Sequence, residues 1–493
     1  MKIFLNQITD TPYRRSFGSI IAFSLMLSVF GFSSCRKFIE IPPPNTQLVT
    51  ASVFNNNASA TSAVLEIYSQ MFQNQESYNM AFDNGLLSDE LTGYATGTNS
   101  PHLYYTNALV ANNNSYGPWI NAYSYIYQAN AVIAGLQQYS GTSSVVKQQL
   151  MGEAYFIRAF WHFYLTDIYG AVPVALTTNY TVTDKLSRTT RVQVLQQVVG
   201  DLQIAQSLLS NNYVDATDTA VTTDRVRPTK AVAMALLARA YLYLGNYDNT
   251  SYYTKADSAA TAVINNSEYS LSPLSNVFLA NSTEAIWQLD TPQPQNYDTP
   301  DGFNFILLAA PSSYHGAISP ELLEAFEPGD QRRVNWVDST QEGVSTYYFP
   351  YKYKNNTYLG TEYDMVLRLA EQYLIRAEAK AELGDSTAVN DLNAIRTRAS
   401  LPNYAGATDK ASLLAAILHE RQVELFTEWG HRWFDLNRAA ANPVSMVNVN
   451  TVLAPPGNVC TAKGGSWNSY KQLYPIPVPD LQKDVNLTQN SGY

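Results

Sequence analysis

The chain has 493 residues, enough for one large domain or for two to three domains of ordinary size. Hydrophobic residues make up 46% of it and charged residues 15%, a balance that excludes an intrinsically disordered protein. The 31 Lys and Arg against 41 Asp and Glu give a formal charge of −10 with no basic cluster, which argues against nucleic acid as a partner.

The first 34 residues have the pattern of an export signal. Basic residues precede an apolar run over residues 17–32, and the small residues Ser33 and Ser34 follow it. The run is shorter than the roughly 20 apolar residues that a membrane-spanning helix needs. Because small residues directly precede Cys35, as in the bacterial lipobox, we predict that Cys35 becomes the lipidated first residue. The alternative is an ordinary secretory signal with Cys35 unmodified.

A tether over residues 35–49 follows, with three consecutive prolines that favour an extended spacer. The chain contains two cysteines, Cys35 and Cys460, so at most one disulfide can form. If Cys35 is acylated, Cys460 is expected to be a free, buried thiol. Paired CxxC spacings are absent, which argues against a structural zinc site.

Helical spacing of apolar residues dominates the rest of the chain and predicts a mainly α fold. The predicted helices cover residues 51–74, 118–138, 145–168, 190–209, 228–245, 252–265, 364–383, 386–399 and 410–428. Residues 78–117 and 270–360 break the period and are rich in Tyr, Asn, Ser, Pro and Gly. We predict long irregular insertions there, with a short strand over residues 285–289.

An internal repeat links distant helices. EAYFIRA (residues 153–159) matches EQYLIRA (residues 371–377) at five of seven positions. A second echo, AxAxxxLG, begins at Ala238 and again at Ala377. Small residues allow close helix packing and Gly is the preferred residue just past a helix end, as in tetratricopeptide-type pairs, so we predict a bundle of about four such pairs. The alternative is chance similarity between Ala-rich helices.

Several segments resemble the SusD/RagB family of outer-membrane nutrient-uptake lipoproteins, in order along the whole chain. They are SCRKF (34–38), Trp119 with Tyr123, Ala129-Asn130, residues 153–159, YGAVP (169–173), RPTK (227–230), LARAYL (237–242), residues 371–378, Glu420-Arg421, Glu424-Leu425, GHRWFDL (430–436), PIP (475–477) and NLTQN (486–490) with Tyr493. Phe32 departs from the usual Leu-like residue of the lipobox.

The resemblance implies a tetratricopeptide-like helical bundle with long loop insertions and minor β structure. It also implies a single domain over residues 50–493, with an N-terminal half over about 50–245 and a C-terminal half over about 246–493. The implied function is a non-catalytic, lipid-anchored protein on the outer surface of the outer membrane. Such a protein captures an oligosaccharide, or in some members a peptide, and delivers it to a partner SusC-like TonB-dependent transporter.

Catalytic motifs are absent from the sequence. Its five histidines form no HExxH, and there is no GxSxG, phosphate loop or EF-hand loop. Two carboxylates suffice for glycoside hydrolysis, so an exported glycoside hydrolase on a helical scaffold remains the alternative function. We predict no cofactor, although scattered Asp and Asn leave calcium open. In the GHRWFDL segment (residues 430–436) we expect Arg432 and Asp435 to join a buried charge network rather than to catalyse.

Aromatic and polar residues of the two irregular regions carry the predicted glycan site, since sugar rings stack on flat aromatic faces and bond to polar groups around them. The family resemblance transfers no ligand residue, so the prediction concerns regions. The predicted residues are Asp83, Tyr94, Asn99, His102, Tyr104 and Tyr105 from the first region, and Tyr297, Tyr314, Trp336 and Tyr348 from the second. A further option is a scaffold that covers the transporter without contacting the ligand.

Overall fold

The computed structural model describes residues 50–112, 116–293, 295–441 and 456–493. The predicted signal peptide (1–34), the tether (35–49) and Cys35 lie outside these residues. Thr50–Tyr493 forms one compact unit. Within the described ranges, no helix has both the length and the apolar character needed to cross a membrane.

The prediction of a mainly α fold is confirmed. The helices of the first part are α1 (Thr50–Val53), α2 (Asn57–Gln73), α3 (Glu76–Leu87), α4 (Ser100–Tyr105), α5 (Trp119–Gln138), α6 (Ser144–Tyr169), α7 (Tyr180–Thr183), α8 (Arg191–Leu208), α9 (Lys230–Tyr247) and α10 (Ser251–Ile264). Those of the second part are α11 (Pro300–Phe305), α12 (Pro320–Ala325), α13 (Gln331–Asn335), α14 (Leu369–Glu382), α15 (Ala388–Arg398), α16 (Lys410–Glu424), α17 (His431–Ala441), α18 (Pro456–Ala462) and α19 (Val478–Lys483).

Three small antiparallel sheets join segments of the irregular regions. Strand β1 (Leu91–Gly93) pairs with β3 (Gly316–Ile318), and β2 (Ala285–Leu289) pairs with β6 (Asp364–Arg368). The third sheet is a hairpin of β4 (Val337–Glu342) and β5 (Ser345–Pro350). The strand predicted at residues 285–289 is therefore confirmed.

The repeat predicted from sequence is visible as equivalent ion pairs. Arg158 on α6 donates two hydrogen bonds to Asp201 on α8, at 2.8 and 2.7 Å. Arg376 on α14 donates two to Asp391 on α15, at 3.0 and 2.6 Å. In each case the arginine of the repeated motif binds an aspartate of the next long helix and holds that helix against the helix that carries the motif. The two copies of the motif therefore have the same structural role.

The two glycines of the second echo behave differently. Gly384 follows α14 with φ of +77°, the left-handed conformation of a helix end. Gly245, predicted to end a helix, instead lies inside α9. A Cβ there would lie 2.3 Å from the ring of Tyr253 on α10, so this glycine permits close helix packing. The prediction of a helix end at Gly245 is wrong.

The GHRWFDL segment begins α17 and is buried in a charge network, as predicted. Arg432 donates to both carboxylate oxygens of Asp89 at 2.6 Å. Asp435 accepts from Arg421 at 2.7 Å and from Arg438 at 2.9 Å. Because Asp89 follows α3, the Arg432–Asp89 pair fastens the C-terminal part of the chain to its N-terminal part.

Two element predictions were wrong. Residues 76–87 belong to α3, although the period of their apolar residues is broken by Asn79, Asp83 and Asn84. Residues 364–368 were predicted as the start of a helix. They form strand β6, which pairs with β2. Cys460 is a buried free thiol among the described residues, as expected.

Candidate functional site

The two irregular regions meet on one side of the bundle. Strand β1 from the first region pairs with β3 from the second, with Leu91 opposite Ile318. Next to this pairing the rings of Tyr94 and Tyr347 lie 5.9 Å apart in an edge-on contact. The strand pairing thus places aromatic residues from both regions on a common surface.

A tyrosine patch, defined as Tyr94, Tyr105 and Tyr347, forms one part of this surface. Tyr94 is 36% exposed and the other two are half-buried. Partial burial, with the phenols of Tyr347 and Tyr105 nearby, raises the pKa of Tyr94. The Lys463 ammonium lies 5.2 Å from the centroid of the Tyr105 ring. This amine donates to the carbonyls of Leu86, Leu87 and Ser88, and burial lowers the pKa of Lys463 to about 7, so the patch offers aromatic surface without a free cation.

An aromatic stack, defined as Phe72, Tyr297 and Phe303, lies beside the start of α3, where Gln75 donates to the Tyr297 hydroxyl at 3.4 Å. The Tyr297 ring lies 5.9 Å from Phe72 and 4.9 Å from Phe303, nearly parallel to both. Phe303 ends the stack and is 48% exposed. Thr299 caps α11 by accepting from the backbone of Gly302, which fixes the short helix that carries Phe303. The exposed ring is thus a supported platform.

A polar pocket of about 250 Å³ contains the predicted residues Asp83 and Tyr104. Asp83 and Glu76 are seven residues apart on α3, so they share one helix face two turns apart. Helix α4 contributes Tyr104 and the start of α5 contributes Asn121. Tyr474, from the C-terminal segment, completes the wall.

Both carboxyl groups of the polar pocket have unusual pKa values. Burial raises the pKa of Glu76 to about 7, although its Oε1 accepts from Asn121 at 2.8 Å and from the Tyr125 hydroxyl at 2.9 Å. Burial also raises the pKa of Asp83 to about 7, against the opposing effect of a hydrogen bond from Tyr104. Perturbed carboxyl groups in a cleft are typical of functional sites, although buried structural groups show the same shifts.

The other predicted residues lie in different settings. Asn99 is exposed at the start of α4, and His102 shares a hydrogen bond with the carbonyl of Ala95 at 3.0 Å. Tyr314 is 69% exposed in the loop before β3. The Arg333 guanidinium lies 4.7 Å from the centre of the half-buried Tyr348 ring.

Trp336 has no exposed surface and packs in the core against Phe278 and Phe426, and its indole N–H donates to the carbonyl of Leu274 at 3.0 Å. A ligand at the surface has no access to this ring. We therefore leave Trp336 out of the proposed site.

Sequence reasoning did not select Glu76, Asn121 or Tyr474. Glu76 had a readable signal, the seven-residue spacing to Asp83, but this spacing has meaning only once residues 76–87 are recognised as a helix. Phe303 is one of the aromatic residues of the second irregular region, on which the prediction rests, and Thr-Pro at 299–300 before it is a strong helix start. Tyr474 had none, since it reaches the pocket from the far end of the chain.

A closely spaced carboxyl pair lies nearby but is sealed. The Ser77 hydroxyl bridges Asp301 and Asp364, at 2.7 and 2.6 Å. Burial raises the pKa of both carboxyl groups, to about 7 for Asp301. The cavity beside Asp301 has a volume of about 10 Å³, which is too small for a sugar ring.

A larger groove of about 1210 Å³ runs between α12 and α16. Glu321, Glu324 and Glu327 line it, with Tyr404 and His419 on the other side. Asp89 also lines the groove, but none of the residues predicted for the glycan site does, and its described side chains form no stack of aromatic rings, so it fits a sugar polymer less well. Among the described residues, no group of three or more His, Cys, Asp or Glu side chains is arranged to hold a metal ion.

Two family models match the chain. The model described as "SusD family" matches residues 325–493, and the model described as "Starch-binding associating with outer membrane" matches residues 37–242. SusD-like protein P2 of Formosa agariphila is 27% identical over 430 residues, covering 76% of this chain and 80% of that protein. The starch-binding protein SusD of Bacteroides thetaiotaomicron is 33% identical over 144 residues, covering 28% and 22%.

Solved structures share the fold. A SusD homolog from Bacteroides thetaiotaomicron has a TM-score of 0.73 at 19% identity, covering 90% of this chain and 98% of its own. The surface glycan-binding protein A from Bacteroides uniformis has a TM-score of 0.70 at 22% identity, covering 87% and 98%. At this level of identity the similarity establishes the architecture, and the side chains of the binding surface have to be considered on their own.

Proposed function

This chain belongs to the SusD/RagB family, and from that membership we propose that it is a non-catalytic cell-surface lipoprotein that binds a nutrient oligosaccharide and delivers it to a TonB-dependent outer-membrane transporter. A peptide ligand is the less favoured form of the same role. The observation that carries the proposal is that the two irregular regions, joined by the β1–β3 pairing, present exposed aromatic rings, and that α3 carries the carboxyl groups of a polar pocket.

The chemistry of this surface suits a sugar polymer. The aromatic stack presents the face of Phe303, and the tyrosine patch presents Tyr94 at 36% exposure. Sugar rings place their C–H faces on such platforms, while their hydroxyl groups bond to amides and carboxyls. Gln75 and Asn304, which bond to each other at 3.2 Å beside the stack, supply amide groups. We therefore place Tyr94, Tyr105, Tyr297 and Phe303 in the proposed glycan surface.

The anchor is a proposal of its own. Lipidation of Cys35, together with the proline-containing tether over residues 35–49, would hold the binding domain at the membrane surface. Mass spectrometry of the N-terminal peptide tests this, since a diacyl or triacyl modification of Cys35 is expected. Cys35→Ala should release the protein from the outer-membrane fraction, and retention of this variant there would contradict the proposal.

A sugar-binding assay tests the capture function. The full-length protein, purified in detergent, is applied to an array of polysaccharides and peptides, and release of reducing sugar is followed in the same wells. Binding without product release is expected. Phe303→Ala removes the exposed platform and should weaken binding by about tenfold, a stacking contribution of about 1.4 kcal/mol.

Tyr180→Ala serves as the matched control, because Tyr180 is 76% exposed on α7 outside the proposed surface. Equal loss in both variants, or no loss in Phe303→Ala, would contradict the proposed surface. Absence of binding to every carbohydrate on the array would contradict the capture function and favour a cover for the transporter that does not contact the ligand.

Delivery to a transporter needs its own test. Affinity purification of the tagged protein from its native outer membrane should recover a TonB-dependent transporter in a fixed stoichiometry. Recovery of the protein without a transporter, under conditions that preserve other outer-membrane complexes, would contradict this part of the proposal.

A glycoside hydrolase is the second candidate function, and one observation favours it. Glu76 and Asp83 line the same pocket beside aromatic residues and both have pKa values raised to about 7 by burial, as the general acid of a glycosidase requires. Release of reducing sugar by the wild type and its loss in Glu76→Gln would establish this function. Binding without release would exclude it for the carbohydrates tested.

A further inference from the structure

The polar pocket is small. Its volume of about 250 Å³ is at the lower end for a ligand site and suits one sugar ring rather than an oligosaccharide. Asn79, an exposed residue of its rim, lies one helical turn from Gln75, which bonds to Asn304 beside the aromatic stack. The rim of the pocket and the aromatic stack therefore border the same end of α3.

The charge of the pocket is one-sided. Glu76 and Asp83 line it, and no Lys, Arg or His is found among the described side chains of its wall. Many buried carboxylates of the bundle face arginines, as Asp201 faces Arg158 at 2.7 Å, whereas the sealed pair Asp301 and Asp364 shares the Ser77 hydroxyl instead. In the pocket the carboxyl groups contact neutral donors only, Asn121 and Tyr125 for Glu76 and Tyr104 for Asp83. A cationic ligand would supply the missing countercharge.

Three tyrosines, Tyr104, Tyr116 and Tyr474, line the pocket together with small, apolar and amide side chains. The Tyr104 ring packs edge-on against Tyr116 at 5.7 Å and lies 5.6 Å from Tyr474. Aromatic faces combined with carboxylates are the usual surroundings of an ammonium group. A divalent metal ion fits less well, because the described residues provide no group of three acidic, His or Cys ligands.

We propose that the polar pocket binds the protonated amino group of an amino sugar, so that the captured polymer is a glycan with free amines. This inference rests on the proposed capture function and names its substrate class. Asp83 and Glu76 accept from the ammonium group, while Tyr104 and Tyr474 enclose the ring that carries it. An N-acetylated unit lacks the charge and leaves both carboxyl groups without a cation.

Binding of a cation in this pocket is coupled to proton release. The titratable groups facing Asp83 and Glu76 are the phenols of Tyr78, Tyr104, Tyr125, Tyr169 and Tyr474. Burial raises the pKa of both carboxyl groups to about 7, so each is partly protonated there and must ionise to hold an ammonium ion. The affinity for tetramethylammonium, whose charge does not titrate, should therefore rise with pH through about 7.

Calorimetric titration of the full-length protein tests the inference, with chitosan tetrasaccharide, its fully N-acetylated counterpart and tetralysine as probes near pH 7 and about 0.15 M salt. The chitosan probe should bind at least tenfold more tightly than the acetylated one. Asp83→Asn and Glu76→Gln should each remove most of this preference. Glu66→Gln, which neutralises an exposed carboxylate on α2, should leave it unchanged.

Thermal denaturation shows which variants are folded, and either pocket variant suffices for the test. Equal affinity for the two saccharides would overturn the inference, while the capture function would stand on the binding of both. Tight binding of tetralysine that Asp83→Asn abolishes would also overturn it and identify a cationic peptide as the ligand. Binding of other glycans on the array but of none of these three probes would likewise overturn the amino-sugar assignment alone.

Discussion

Asp435→Asn tests whether the GHRWFDL segment serves the fold or a reaction. Asp435 accepts from Arg421 at 2.7 Å and from Arg438 at 2.9 Å, and all three side chains are at most 2% exposed. Arg438 keeps a second carboxylate partner, Glu378, at 2.7 Å. Arg421 has Asp435 as its carboxylate partner among the described residues. The amide of Asn would therefore leave a buried guanidinium without a carboxylate in hydrogen-bond contact.

The expected loss is about 3–5 kcal/mol of unfolding free energy, the usual cost of removing one partner of a buried ion pair. An unfolding entropy of about 2.1 cal/mol/K per residue converts this into a fall in Tm of about 3–5 °C for a chain of 493 residues. Urea denaturation of the wild type and the variant measures the free energy directly.

Asp480→Asn provides the matched control. Asp480 also pairs with a cation three residues later, Lys483 at 3.4 Å, but the lysine side chain is 76% exposed. This substitution should cost less than about 1 kcal/mol, as exposed ion pairs do. If Asp435→Asn is as stable as the wild type, the structural role of the charge network is refuted. A variant that keeps its stability but loses ligand binding would favour the functional interpretation of the segment.

The pH dependence of this effect follows from linkage. Although burial acts to raise the pKa of Asp435, Arg421 and Arg438 hold it below the usual range. A carboxyl whose folded-state pKa is lowered contributes stability above its unfolded pKa of about 3.9, and this stability is lost as the pH falls further. The difference between wild type and Asp435→Asn should therefore shrink below about pH 4.

Three further predictions concern single residues. Burial raises the pKa of Asp83 from 3.8 to about 7. Between about pH 3.8 and pH 7 the folded chain therefore keeps a proton on Asp83 that the unfolded chain has lost, and stability falls as the pH rises through this window. Asp83→Asn should flatten that fall in thermal denaturation, and an unchanged profile would contradict the assignment. Gly384→Ala places a side chain at φ of +77° and should cost about 1 kcal/mol in urea denaturation. Gly245→Ala sets a Cβ 2.3 Å from the Tyr253 ring and should cost about 1–3 kcal/mol, more than the Ala gains in helix propensity; a stabilised variant would contradict the packing argument.

The helical bundle could be predicted because the spacing of apolar residues within each helix is a local sequence signal. The apolar spacing predicted α6 and α9 to within two residues at either end. The repeated motif also predicted equivalent helices, and the pairs Arg158–Asp201 and Arg376–Asp391 show the equivalence. Periodicity failed where a segment is buried on most of its surface, as in α3, whose polar residues Glu76, Asp83 and Asn84 line a pocket.

Strand β6 shows a second limit. Its apolar residues continue without a break into α14, so periodicity read the whole stretch as one helix. Residues 364–368 form a strand because their backbone pairs with β2, which lies some 80 residues earlier in the chain. Tertiary partners at such distances leave no mark in a local pattern.

The candidate site was predictable by region but not by residue. Tyr314 and Trp336 read alike in the sequence, as aromatic residues in a polar loop, yet Tyr314 is 69% exposed and Trp336 is fully buried. Their difference is set by Leu274 and Phe426, which cover Trp336 from elsewhere in the chain. The aromatic stack likewise needed the tertiary structure, because Phe72 lies in a predicted helix and not in a loop.

The fastening of the chain's end to its beginning governs the order in which this protein can mature. Arg432 reaches Asp89 across 343 residues, and Tyr474 closes a pocket whose other walls come from the first 121 residues. During export the amino-terminal segments emerge early, and Asp89 lacks its partner until Arg432 has emerged. Such long-range closure slows folding and exposes the incomplete chain to aggregation. The polar pocket is consequently completed only when Tyr474 docks, so a chain trimmed before Tyr474 would lack this wall.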